Sequence, residues 1–325
     1  MRLSSRIKPG LMLLVMTFAS WPAIAQDYPA RQVRIIVPTA PGGGYDFIGR
    51  VLGDKLSAEL GRGFVVENRT GAGTLMGTQT VATSPADGYT LLVGGLANMA
   101  FNPGLYKAPG YSPSADFTPV AMVGAFTYAL VARKDLPQSN LKEIVEFARK
   151  NPGTLSIAHA GNGSGQHVAA LMLKHFAKVD LLEIAYKGAQ PAYTDLLAGR
   201  VDLFFDNTTT AKPFVADGRV KAIVTSGLAR DPFMANVPTG KEAGVDGLVL
   251  DSWIALFAPA KTPKAVTEVL RTATLKALEA PDTRKRLETA GWRILAMTPG
   301  ETEAFVKREE QKWPPFLKQA GIHPE

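Results

Sequence analysis

Four stretches of the chain set glycines and isolated polar residues where a strand hands over to a helix. The first is Pro41-Gly42-Gly43-Gly44-Tyr45-Asp46. Glycine tolerates positive φ and lets backbone N–H groups approach a ligand closely. A helix N-terminus adds unpaired donors and partial positive charge. Together these make an anion site. It does not suit a nucleotide: Gly44 leads to Gly49-Arg50-Val51 rather than G-K-[ST], and Phe47 stands where G-x-G-x-x-G needs its third glycine. A small anion such as a carboxylate fits better. Asp46 has two compatible readings, as a helix-start residue worth ~1 kcal/mol and as an acceptor for an amine, hydroxyl or water. Arg50, one turn later, either pairs with Asp46 or faces solvent.

The second stretch, His159 to His167, repeats the plan of strand, glycine loop and helix start, with Gly161, Gly163, Ser164 and Gly165 offering N–H groups and one hydroxyl. Asn162 breaks a G-x-S-x-G elbow around Ser164. His167 falls in a first helical turn, where the dipole disfavours its charged form, so it reads as a neutral hydrogen-bonding residue. His159, His167 and His175 recur every eighth residue, which matches no metal-binding pattern. The third stretch, Lys187-Gly188-Ala189-Gln190, precedes another helix start; Asp206 and Asn207 end a strand, and Asp206 reads equally as a satisfied loop carboxylate or a ligand contact. The fourth, Gly71-Ala72-Gly73, is a chain reversal that can border the same cleft. His167 with Asp206 is the best acid–base pair on offer, and nothing in the sequence brings them together. No catalytic residue, cofactor or metal is expected, and the pattern favours binding over catalysis.

Strands and helices alternate along the chain. Residues 32–38 read as a strand; Ile48, Val51, Leu52, Leu56 and Leu60 follow at helical spacing, closed by Gly61. Residues 101–120 show little periodicity, and 120–133 and 251–260 read as long strands. Thr262-Pro263 marks a helix start, and Thr298 with Glu301 a capping box. The expected fold class is α/β, with two lobes, each a mostly parallel sheet flanked by helices, joined by two crossover strands. One lobe is discontinuous, residues 26–127 plus 251–325; residues 128–250 form the other. Ligands of such sheets bind at the carboxyl ends of strands.

The 325-residue length agrees with two lobes, and 46% hydrophobic and 20% charged residues describe a globular chain. Arg2, Arg6 and Lys8, a short apolar run and Ala23-Ile24-Ala25 read as a signal peptide, residues 1–25, cleaved after Ala25. Of the net charge of +7, three units fall in that segment, and the remaining basic residues form no nucleic-acid stripe. The absence of cysteine excludes disulfides, thiol catalysis and an acylated-cysteine anchor. An untethered exported chain fits a periplasm.

Several blocks carry a resemblance: "YPARQVRIIVPTAPGGGYDFIGRVL", "FVVENRTGAGTLMGTQTVATSPADGYTLLV", "AGNGSGQHVAALML", "YKGAQPAYTDLLAGRVDLFFDN", "VPTGKEAG" and "SWIALFAPAKTP" resemble the Bug (TctC-like) family, periplasmic solute receptors of tripartite tricarboxylate transporters. The resemblance runs from about Tyr28 to the C-terminus. It implies a type II periplasmic binding protein fold that closes on a small organic carboxylate. The first clamp would be Pro41, Gly42, Gly43, Gly44, Tyr45 and Asp46, the second the loop Gly161 to His167, with Gly163, Ser164, Gly165 and His167 as ligand residues. Lys187, Gly188 and Asp206 complete the expected site. Two integral-membrane subunits would be the partners of a receptor acting as a monomer. The apolar stretch Gly95 to Pro103, the aromatics Tyr45 and Phe47, and Ile254-Ala255 after Trp253 point to a ligand with an apolar or aromatic body. The alternatives are a periplasmic enzyme acting on a carboxylate and a ligand-sensing subunit of a signalling system.

Overall fold

The computed structural model describes residues 28–295 and 297–320. The expected signal peptide lies outside the described residues. The chain runs β1 (Val33–Val37), α1 (Gly44–Leu60), β2 (Phe64–Asn68), α2 (Leu75–Ala82), β3 (Thr90–Gly95), α3 (Asn102–Leu105), α4 (Pro113–Asp116) and β4 (Phe117–Arg133). It continues α5 (Leu141–Lys150), β5 (Ser156–His159), α6 (Gly165–Ala177), β6 (Leu182–Ala185), α7 (Ala189–Leu197), β7 (Leu203–Asn207), α8 (Thr208–Ala216) and β8 (Val220–Thr225). The last elements are β9 (Asp251–Pro259), α9 (Lys264–Glu279), α10 (Pro281–Thr289), β10 (Arg293–Ile294) and α11 (Pro299–Gln319). Among the described residues no helix is long and apolar enough to cross a membrane.

The expected α/β architecture is present. In the first lobe β1 pairs in parallel with β2 and β3, and β9 closes the sheet antiparallel to β3. In the second, β5 pairs in parallel with β6 and β7. The two sheets meet in β4, a 17-residue strand. It pairs with β9 from Phe117 to Thr127, then with β7 from Tyr128 and with β8 from Ala129. β1, β3 and most of β4 are buried on both faces, as parallel sheets covered by helices require.

Three local readings change. β9 lies wholly in the first sheet; the chain crosses back as an extended segment whose Leu250 N–H donates to the Ser226 carbonyl at 2.8 Å. The proline- and glycine-broken run before it offers no strand to pair there. The weakly periodic stretch 101–120 holds α3 and α4, preceded by a π-helical turn over Ala97–Phe101. These turns are too short for a periodic signal. Helix α9 starts one residue later than expected, because Pro263 is extended (ψ 138°) and itself precedes the helix. The Thr298–Glu301 capping box is formed, with the Thr298 N–H donating to Glu301 Oε2 at 2.8 Å and Glu301 N–H to Thr298 Oγ1 at 3.3 Å. Helix α11 is tied back to β9 by Glu309, whose Oε2 accepts from the indole N–H of both Trp253 (3.3 Å) and Trp313 (2.9 Å).

Helix α2 sits close on the end of β1 because Gly77 lacks a side chain. A Cβ there would stand 2.5 Å from the Arg69 carbonyl oxygen and 2.8 Å from Pro38 Cα, both backbone atoms. Gly77→Ala gains ~1 kcal/mol in helix propensity but meets an overpacking cost of about 1–3 kcal/mol. The expected net outcome is a lowered melting temperature, measured by thermal unfolding followed by circular dichroism.

Candidate ligand-binding site

Helices α1 and α6 begin in the same way, one in each lobe. Gly42 and Gly163 take φ of +87° and +75°, the left-handed region open to glycine. Gly43 and Ser164 are the N-caps, and Gly44 and Gly165 the first helical residues. In each helix the third residue reaches back four positions. The Gly42 N–H donates to Asp46 Oδ2 at 2.9 Å, and the Gly163 N–H to His167 Nδ1 at 3.2 Å. Each brace fixes its glycine loop; in α6 the Ser164 hydroxyl also takes the His167 N–H at 3.2 Å, and the N–H groups ahead of it, as in α1, have no partner within the helix.

The braces have further supports. Arg50 Nε and Asn68 Nδ2 donate to the two Asp46 oxygens, each at 2.9 Å. Burial opposes ionisation of Asp46, but the hydrogen bonds from Arg50, Gly42 and Asn68 outweigh it and hold its pKa below the usual range. His167 Nδ1 accepts the hydrogen bond from the Gly163 N–H, so Nε2 carries the ring proton and faces Glu183 Oε2 at 3.2 Å. His159 stacks on His167 with centroids 4.4 Å apart. Burial and the His167 ring push His159 down to about 4. The His167 hydrogen bond and then Lys174, whose Nζ lies 2.5 Å from Glu183 Oε1, outweigh burial and bring Glu183 down to about 2. The every-eighth-residue spacing hid this trio, whose candidate ligand atoms lie within 4.8 Å of one another. The third member comes from the neighbouring strand β6. With its proton on Nε2 and Lys174 on Glu183, the trio is a hydrogen-bonded support for the loop.

Between these two helix starts runs β4. Strand side chains alternate, so Phe126 and Tyr128 share a face, their rings 5.3 Å apart. A Cβ on Gly44 would lie 3.5 Å from Phe126 and 3.2 Å from both Trp292 and Asn207 Nδ2; one on Gly165 would overlap the Tyr128 hydroxyl. Gly165 is therefore glycine because its helix end is seated directly on the crossing strand, and Gly44 leaves α1 in close contact with Phe126, Trp292 and Asn207.

A cavity of about 630 Å³ lies between the lobes over this floor. Pro41, Gly42, Gly43, Gly44 and Tyr45 line it from one lobe; Ser164, Gly165, Lys187, Gly188 and Asp206 line it from the other. Asp46, Gly163 and His167, expected as ligand residues, do not line it. Their polar atoms are turned to the braces described above, so they shape the loops from behind. Asn207, which ends β7 beside Asp206, and the turn Thr70 to Thr74, which holds the Gly71-Ala72-Gly73 reversal, also line the cavity; Phe126, Tyr128 and Gln166 line it and carry no site signal in the sequence pattern beyond the alternation of Phe126 and Tyr128 on the crossing strand. Helix α8 starts at once after Asn207, giving the cavity a further helix N-terminus.

Lys187 is the one ammonium or guanidinium group among the described lining residues, and Asp206 the one carboxyl. The Lys187 ammonium makes no ion pair among the described residues. Asp206 is 1% exposed. Its Oδ1 accepts from Gln166 Nε2 at 3.1 Å, while Oδ2 has no hydrogen-bond partner among the described residues. The Tyr193 hydroxyl is beside it without hydrogen-bond geometry and is itself unpaired. Burial pushes the Asp206 carboxyl up to about 7, against the Asn207 N–H, the Gln166 amide and the neighbouring Tyr193 hydroxyl. A pKa raised from 3.8 means that the folded chain holds this proton where the unfolded chain has lost it. Stability from this group therefore falls as pH rises from 3.8 towards 7, and stays at the lower level above. Asp206→Asn is expected to raise the melting temperature of the ligand-free protein by a few degrees at pH 8. The gap should close on titration to pH 4.5; thermal unfolding at both pH values reads it.

A family model described as the tripartite tricarboxylate transporter family receptor matches residues 48–322. Among solved structures, the periplasmic binding protein BugD is 37% identical, with a TM-score of 0.86 over 92% of this chain and 100% of its own. Rpa4515 of R. palustris, solved with adipate, is 32% identical, with a TM-score of 0.87 over 92% of this chain and 100% of that one. MatC (Rpa3494) from Rhodopseudomonas palustris, with bound malate, is 34% identical, with a TM-score of 0.84 over 89% and 99%. These likenesses confirm the two-lobed type II periplasmic binding protein fold. The chain belongs to the receptor family of the tripartite tricarboxylate transporters, the Bug (TctC-like) solute-binding proteins.

Proposed function

We propose that this chain is exported to the periplasm, captures a small organic carboxylate between its lobes and delivers it, as a monomer, to the membrane subunits of a tripartite transporter. The observation that carries this reading is the convergence of helix starts on one cavity. The N-termini of α1, α6, α7 and α8 all begin at lining residues. Their unpaired N–H groups and dipoles favour an anion without a cluster of arginines. Lys187 adds a single full charge. The ligand residues in this reading are Pro41 to Tyr45, Ser164, Gly165, Lys187, Gly188 and Asp206, while Asp46, Gly163 and His167 hold the loops.

The floor supports a ligand with an apolar body. Phe126, Tyr128, Tyr45 and Ala97 are buried and line one side, and Tyr186 the other. The adipate and malate found in relatives are small dicarboxylates, in keeping with the carboxylate class. No observation favours catalysis: His167 faces Gly163 and Glu183 rather than Asp206, and no nucleophile–base pair is found among the described lining residues. Calorimetry with aromatic monocarboxylates, linear dicarboxylates and citrate tests the reading. Binding of an aromatic or linear carboxylate is expected; tight citrate binding with no response to the others would overturn the apolar-body part.

The lobes touch at the rim of the cavity. A Cβ on Gly73 of the first lobe would overlap the Asn162 carbonyl oxygen of the second, and one on Gly163 would lie 3.1 Å from Leu105 Cδ1. Ligand capture by closure needs this close approach. Gly73→Ala is expected to weaken binding at least several-fold and to leave the radius of gyration at saturation larger than in the wild type. Small-angle scattering with and without ligand checks the second part, and an unchanged radius would count against the clamp.

A further inference from the structure

Asp206 is out of place in an anion site. It puts a carboxyl on the wall of a cavity whose other polar features suit a negative ligand. It is 1% exposed, and a buried carboxyl oxygen left without a partner is costly. Gln166, in the first turn of α6, holds Oδ1 at 3.1 Å and so fixes the orientation of the group. Oδ2 is the orphan. The Asn207 N–H acts on the carboxyl from the backbone, and the Tyr193 hydroxyl lies beside it without hydrogen-bond geometry; Oδ2 still has no partner among the described residues. We propose that Asp206 Oδ2 is the acceptor for a hydrogen-bond donor carried by the ligand itself, so that the preferred ligands are hydroxy- or amino-carboxylates rather than plain carboxylic acids. This rests on the carboxylate-receptor reading above and sharpens it.

Two effects act in the same direction. A hydroxyl or ammonium group on the ligand gives Oδ2 its missing partner, and a hydrogen bond to a charged group discriminates strongly. A plain acid leaves Oδ2 unpaired and brings a second negative charge towards it. The ligand carboxylate is then held at the helix starts and the donor at the end of β7, which fixes orientation as well as affinity. A site built to take a donor rejects the analogue lacking it far more strongly than an apolar pocket rejects a missing methylene.

The test compares pairs that differ by one hydroxyl: malate against succinate, and 3-phenyllactate against 3-phenylpropanoate, by calorimetry at pH 8 on the wild type and Asp206→Asn. In the wild type the hydroxy member of at least one pair is expected to bind about ten-fold tighter or more. In Asp206→Asn that ratio should fall to within about two-fold, with the affinity of the plain acid kept or improved. Equal affinities within both pairs in the wild type overturn the inference while leaving the carboxylate receptor intact, and this comparison needs no variant. A hydroxyl preference that persists in Asp206→Asn also overturns it. Failure of all four acids to bind overturns the carboxylate reading and the inference with it.

Discussion

A single strand belongs to both halves of the sheet, and the geometry of the site follows from that. β4 changes partner between Thr127 and Tyr128, from β9 in one lobe to β7 in the other. Side chains two apart on a strand share a face, so Phe126 and Tyr128 stand together where the lobes meet. Each receives the start of one helix, α1 on Phe126 and α6 close against Tyr128. The first residue of α6 must then be glycine, because any Cβ at Gly165 would overlap the tyrosine hydroxyl, while one at Gly44 would crowd Trp292 and Asn207. The ligand cavity, its aromatic floor and its two opposed helix ends are consequences of one strand serving two sheets.

The electrostatics of the cavity come mostly from backbone. Asp46 and His167 occupy the same helical position in the two lobes and perform the same task with different chemistry. A carboxylate held ionised by Arg50, Gly42 and Asn68 does in one lobe what a neutral imidazole held by Glu183 does in the other. In both, one loop N–H is taken by the brace; in α6 the Ser164 cap takes the His167 N–H as well, and the first N–H groups of each helix remain. A rigid array of N–H groups stabilises a carboxylate without the side-chain ordering that arginines or lysines would require. Asp206 runs against this economy. It lowers stability above neutral pH, and such local costs collect at functional sites, where sequence rules and stability part company.

Much of the fold could be read from the residues. The alternation of strands and helices, the Gly61 helix stop and the Thr298–Glu301 box all depend on residues a few positions apart. Gly61 does adopt φ +64° at the end of α1. The departures have separate causes. The short helical turns over residues 97–116 are held by α11, whose Trp313 packs edge-on against Phe101 with centroids 4.9 Å apart, and no local period marks them. The start of α9 differs by one residue because Pro263 stays extended.

The site divides along the same line. The sequence by itself determined that the Gly42–Gly44 and Gly163–Gly165 turns open helices and present N–H donors, because positive φ, a missing Cβ and a helix start are local properties. It also excluded nucleotide motifs and thiol chemistry. Only the tertiary structure decided which first-turn side chains face the cavity. Asp46 turned to Asn68, 22 residues away, and His167 turned to Glu183 on the next strand. Likewise, only packing removed Asp206 from water and left one of its oxygens without a partner. Burial and long-range hydrogen bonds depend on which distant segments arrive at the same place, and residue spacing along the chain does not record that.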